Sequence, residues 1–162
     1  MATDDILQKH LGIGEIYVTK RAEQVSTVLG SCVSVCLYDA KNGVSGMNHH
    51  MLPAPPPSAK PNDGQSGKYG ETALAEMLNR MKRLGMETES TSAKIFGGAR
   101  MLAQLSFVAI NERNIAVARE FLRKQGIRIV AEDVGGDRGR RIMFQTGTGK
   151  VLVREVNKRE FL

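Results

Sequence analysis

The chain has 162 residues, 41% hydrophobic and 25% charged, which is ordinary usage for one folded domain and excludes disordered, collagen-like and coiled-coil chains. Its longest strongly apolar stretch, residues 33–38, falls far short of the ~18 residues of a membrane span, and the acidic Asp4-Asp5 leads to no signal-peptide core, so a cytoplasmic address without membrane insertion is expected. The net charge of +6 is spread along the chain, with modest clusters at Arg138-Gly139-Arg140-Arg141 and Lys158-Arg159, and aromatics are only 5% with no Trp; a solvated basic face is the commoner meaning and no nucleic-acid partner is expected.

The first ten residues read as a loose lead-in. Gly12-Ile13-Gly14-Glu15 is a turn before a short strand over 16–18, and the β-branched run 25–29 is a second strand stopped by Gly30. Strands at 33–38 and 44–52 bracket Asp39-Ala40-Lys41-Asn42-Gly43, whose Asn-Gly pair predicts a hairpin turn. All 5 prolines fall within 53–67, a long surface loop and a candidate rim for a binding site.

Residues 71–84 place Leu74, Met77, Leu78, Met81 and Leu84 at helical spacings, with Gly85 where a C′ glycine belongs. Ala93-Lys94-Ile95-Phe96 is a strand ending on Gly97-Gly98. A second helix over 114–124 carries Ile115, Ala118, Phe121 and Leu122 on one face and stops at Gly126. Strands at 127–130, 141–145 and 150–156 follow. The last two are joined by Thr146-Gly147-Thr148-Gly149, which lacks the earlier glycine and the Ser or Thr of a phosphate-binding loop and reads as a hairpin turn. Mixed strands with two helices predict an α+β fold, a layered α/β sandwich with mixed sheets flanked by helices.

Chemistry concentrates at Leu29-Gly30-Ser31-Cys32-Val33, where a cysteine follows a Gly-Ser turn at the mouth of an apolar strand. Glycine lets the backbone turn sharply, and the amides of such a turn can face a developing oxyanion. Burial is the rival reading for Cys32, and it is the reading for Cys36 between Val35 and Leu37. With only 2 cysteines there is no disulfide framework, and both are expected as free thiols.

A cysteine nucleophile needs a base, and the hairpin returns His49 and His50 towards Cys32. Strand alternation puts Met47, His49 and Met51 on one face and Asn48, His50 and Leu52 on the other; periodicity alone does not choose between the histidines. A metal site of Cys32, Cys36, His49 and His50 has the wrong spacing, because adjacent strand histidines diverge. No metal and no cofactor are expected.

Gly30-Ser31-Cys32-Val33, followed by Met47-Asn48-His49-His50-Met51-Leu52-Pro53, resembles the CheD family of chemoreceptor glutamine deamidases. Gly12-Ile13-Gly14-Glu15, Lys68-Tyr69-Gly70, Lys94-Ile95-Phe96-Gly97-Gly98-Ala99 and Ala131-Glu132-Asp133-Val134-Gly135-Gly136 resemble further family blocks in the same order. The likeness runs over 12–156, leaving 1–11 as a lead-in and 157–162 as a tail. It implies a cysteine hydrolase with a Cys-His-hydroxyl triad, in a fold similar to the catalytic domains of deamidating bacterial toxins.

On this resemblance the nucleophile falls on Cys32 and the histidine on His49, with Asn48 replacing a small residue. The third member, usually Thr, falls on Ser26; Thr27 is adjacent, and alternation turns it the other way. Backbone amides of Ser31 and Cys32 would receive the oxyanion. Ile110-Asn111-Glu112-Arg113-Asn114 departs from the family's usual Gly at the second place. The substrate implied is a glutamine on cytoplasmic helices of chemoreceptors. Methylesterase chemistry on the same receptors and a CheC-type phosphatase partner are implied too; the alternative reading is a largely regulatory binding module for that phosphatase. Proximity of Cys32 and His49 is expected to favour a thiolate-imidazolium pair.

Overall fold

A computed structural model describes residues 5–60, 63–101 and 109–156; the expected tail 157–162 lies outside them. In chain order the elements are β1 (Gln8–His10), β2 (Ile16–Thr19), β3 (Gln24–Leu29), β4 (Val33–Asp39), β5 (Val44–Asn48), α1 (Gly70–Arg83), β6 (Thr91–Gly97), α2 (Ile110–Gln125), β7 (Arg128–Val134), β8 (Gly139–Gln145) and β9 (Lys150–Val156). They form a four-stranded sheet of order β1-β3-β8-β9 and a five-stranded sheet of order β2-β5-β4-β6-β7. Both sheets mix parallel and antiparallel pairs, since β1 runs parallel to β3 and β6 parallel to β7. The expected α+β sandwich is therefore what the chain builds.

The central strand β4 explains the layering. Val33, Val35 and Leu37 face one way and join Leu74, Met77 and Met81 of α1 and Ala118 and Leu122 of α2 in the helix-side core. Cys32 and Cys36 face the other way and join Leu11, Val25, Leu29, Met47, Phe96, Ile142 and Phe144 between the sheets. A strand buried on both faces needs a near-continuous apolar run, which is what 33–38 supplies.

β4 and β5 form the expected hairpin, with Cys36 opposite Met47 and Asp39 opposite Val44, and Gly43 turns it with φ +66°. The strand expected over 44–52 stops at Asn48, because Asn48 Oδ1 accepts the Val35 N–H at 2.8 Å in place of a ladder bond; pairing resumes only at Val33 and His50. Within the expected loose lead-in, Gln8–His10 add a strand to the edge of β3. The second helix begins at Ile110 rather than Asn114, and the strand expected over 127–130 extends to Val134. Among the described residues no helix is long and apolar enough to cross a membrane.

Candidate active site

The chain crosses from one sheet to the other through Gly30, Ser31 and Cys32, between β3 and β4. Each carbonyl of this crossing is held from outside: Ala99 N–H donates to Gly30 O at 2.8 Å, Asn114 Nδ2 to Ser31 O at 3.2 Å, and Gly98 N–H to Cys32 O at 2.9 Å. The amides of Ser31 and Cys32 donate to no other described residue. Free amides beside a thiol are what an oxyanion requires.

Two glycines make this approach feasible. A Cβ on Gly97 would lie 2.2 Å from the Cys32 carbonyl oxygen, and one on Gly98 would lie 2.4 Å from Ile115 Cδ1; both residues have positive φ, +105° and +68°. The Gly97 carbonyl is secured in turn by Arg140 of β8, which stands opposite Leu29. Arg140 Nη1 donates to Gly97 O at 2.9 Å, Nη2 to Gly135 O at 2.7 Å, and Nε pairs with Asp133 at 3.0 Å. One buried guanidinium thus ties the four-stranded sheet to the turn behind Cys32.

His49, one residue past the end of β5, lies on the inter-sheet side against Thr27 of β3, in phase with Met47. Extending the register of β4 and β5 places Ser34 opposite His49 and Cys32 opposite Met51, so His49 and Cys32 are diagonal neighbours on one face. The His49 Nδ1 stands 2.7 Å from Thr27 Oγ1, and Thr27 Oγ1 donates its proton to the Leu11 carbonyl at 2.7 Å. A hydroxyl has one proton to give. Thr27 therefore accepts from Nδ1–H, which leaves Nε2 bare. That Nε2 is buried and has no partner among the described residues.

Thr27, rather than Ser26, is the hydroxyl against the histidine. In β3 Val25, Thr27 and Leu29 point inward, while Ser26 points outward beside His10 and Met143. His50 faces the helices, with Nδ1 2.8 Å from Asn48 Nδ2 and Nε2 3.2 Å from the Asn114 carbonyl, so both its ring nitrogens are occupied.

Burial governs the protonation states. It pushes the Cys32 thiol up to about 11 and the Cys36 thiol up to about 12. It pushes His49 down to about 4, helped by His50 and His10. At neutral pH the resting site therefore holds a thiol and a neutral imidazole, not the expected thiolate-imidazolium pair. The reason is that a buried pair of ions gains too little without the hydrogen bond that would join them.

The loop over 53–67 does rim a recess. Gly64 and Gln65 line a recess of about 370 Å³ with Ile13, Gly14, Met51 and Lys68, and Met51 also packs against the cluster that holds Cys32. Asn114 and Arg140 were not anticipated as parts of the site. Asn114 had a readable signal, since it is an amide on the same helical stripe as Ala118 and Leu122.

Residues 51–155 match the family described as CheD chemotactic sensory transduction. A probable chemoreceptor glutamine deamidase CheD of Sulfurimonas denitrificans is 40% identical over 158 residues, covering 95% of this chain and 97% of the relative. One of Methanococcus maripaludis is 42% identical over 144 residues, 88% of this chain and 92% of the relative. In three dimensions the chain resembles a Neisseria meningitidis protein of family DUF152, with a TM-score of 0.51 at 10% identity over 86% of this chain and 75% of the other; this likeness concerns the fold.

Proposed function

Since this chain belongs to the CheD family, we propose that it converts glutamine side chains of chemoreceptors to glutamate, with Cys32 as nucleophile, His49 as proton carrier and Thr27 orienting the imidazole. The observation that carries the reading is the bare, buried Nε2 of His49, fixed by Thr27 on the face that Cys32 shares.

The reaction follows from these groups. As Sγ of Cys32 attacks the carboxamide carbon, its proton passes to His49 Nε2, so the ions form only when the substrate is present. The negative oxygen of the tetrahedral adduct is met by the amides of Cys32 and Ser31. His49 returns the proton to the departing nitrogen, ammonia leaves, and a thioester remains. Water, deprotonated by the same Nε2, then releases glutamate and restores the thiol. Attack on a glutamate methyl ester would use the same groups and release methanol, so receptor methylesterase activity is part of the proposal. A cytoplasmic address and a CheC-type phosphatase partner belong to it as well, on kinship.

The test is mass spectrometry of a receptor cytoplasmic fragment incubated with the protein. Conversion of amide to acid raises the mass by about one dalton at each modified glutamine. Conversion that persists undiminished with Cys32→Ala would refute the role given to Cys32.

A further inference from the structure

Asn114 stands on the helix side of β4, across the strand from the chemistry, and is fully buried. Its Nδ2 donates to two carbonyls at once, Ser31 O at 3.2 Å and Met51 O at 2.9 Å. Carbonyls only accept, so the amide orientation is fixed: Nδ2 faces both of them, and Oδ1 is left buried without a partner among the described residues. An unpaired amide oxygen in a core is costly, and an aliphatic residue of similar size would avoid it. The backbone oxygen of Asn114 meanwhile meets His50 Nε2, whose ring is held by Asn48. Asn114 of α2 thus grips both the crossing that leads into β4 and the segment after β5 in which His50 and Met51 follow His49.

In a trans peptide the C=O and the following N–H point in opposite directions. Ser31 O is drawn towards α2, so the N–H of Cys32 is turned away from α2, to the side where its own sulfur and His49 lie. We infer that Asn114 is a positioning residue that aims the Cys32 amide at the oxyanion by fixing the Ser31–Cys32 peptide plane. The inference rests on the proposed Cys32 mechanism.

Alkylation separates this role from general support of the loop. Iodoacetamide reacts with Cys32 by displacing iodide at a tetrahedral carbon and forms no oxyanion, whereas deamidation needs one. The expected result for Asn114→Ala is a ~10–100-fold fall in kcat on a receptor fragment, with KM and the Cys32 alkylation rate at alkaline pH within about twofold. Equal losses of kcat and alkylation rate would reduce Asn114 to a loop support, and an unchanged kcat would remove its role; either overturns the inference. If Asn114→Ala does not fold, Asn114→Ser, whose hydroxyl can still donate to one carbonyl, carries the same comparison. Full alkylation of Cys32 in the unchanged protein that left deamidation intact would instead strike the nucleophile itself, without reference to Asn114.

Discussion

Gly97 and Cys32 touch backbone to backbone: a single added carbon on Gly97 would sit 2.2 Å from the Cys32 carbonyl oxygen. The nucleophile's position is therefore set by what is missing from its neighbour.

Gly97→Ala is expected to lose ~2–4 kcal/mol of stability and more than ~10-fold in deamidation, because the added carbon must displace the Cys32 crossing and φ is +105°. Gly43→Ala is the control. Its φ is +66° but nothing lies within 4 Å of the added carbon, so only about 1 kcal/mol should be lost and activity kept. Urea unfolding and deamidation assays on both variants decide the matter; equal losses would show that the contact is irrelevant.

Thr27→Val keeps the shape of the side chain and removes the acceptor for His49 Nδ1–H. Deamidation should fall ~10–100-fold in kcat with KM little changed. Ser26→Ala, on the outer face, should change kcat less than about twofold. The opposite ranking in steady-state assays would return the orienting role to Ser26.

Cys32→Ala should abolish deamidation, while Cys36→Ala should retain it and lose about 1 kcal/mol from reduced burial. With both thiols neutral at pH 7, alkylation should be slow at both, faster at Cys32, which is 8% exposed against 2% for Cys36, and steeper with rising pH. His49→Ala should alter the substrate-free Cys32 rate by less than about twofold. A large drop, followed by peptide mass spectrometry, would mean that the ion pair exists before substrate arrives.

The pH dependence has a definite sign. The reactive form, thiol with neutral imidazole, is the form present across neutral pH, so kcat/KM of folded protein should stay level from about pH 5 to pH 9 and fall below that as His49 is protonated near 4. Stability falls with acid as well. His49 and His50 are both held at about 4 in the fold, below the ordinary 6.5, so the unfolded chain binds more protons between those values. Their contribution is complete above about pH 6.5 and is lost as pH falls to about 4, on the order of 3 kcal/mol for each residue. Burial pushes the Asp39 carboxyl up, but bonds from Ser90, the Glu87 amide and Asn42 together pull it down to about 2, so its contribution persists to lower pH and goes between about 4 and 2. Urea midpoints at pH 7, 5 and 4 test this; a midpoint that does not fall with pH would contradict the burial of the histidines as neutral rings.

Much of this architecture was legible in residue patterns because burial imposes a period. The apolar run in β4, the Asn-Gly turn and the stripe of α1 each report a packed face. The same logic contained the answer at Thr27: Val25 and Leu29 are apolar and odd-numbered, so the residue between them at the same phase points inward. What stayed hidden had no period of its own. Gln8–His10 are polar and become a strand only by lying along β3, with Leu11 as the buried anchor that follows. Asn48 interrupts its ladder through a side-chain bond that no alternation encodes. The neutral resting site depends on how deeply two particular side chains are enclosed, which neighbours in space decide.

Glu23 N–H reaches Thr146 Oγ1 across 123 residues of chain, and β3 pairs along its whole length with β8. Cys32 follows directly from that pairing, and Arg140, which secures the turn behind it, comes from β8 as well. Such distant contacts close late, after local hairpins and helices have formed. A refolding chain should therefore regain its helical signal before it regains turnover, and a nascent chain should remain inert until β8 has emerged. The chemistry is thus withheld from any copy of the molecule that has not yet gained β8.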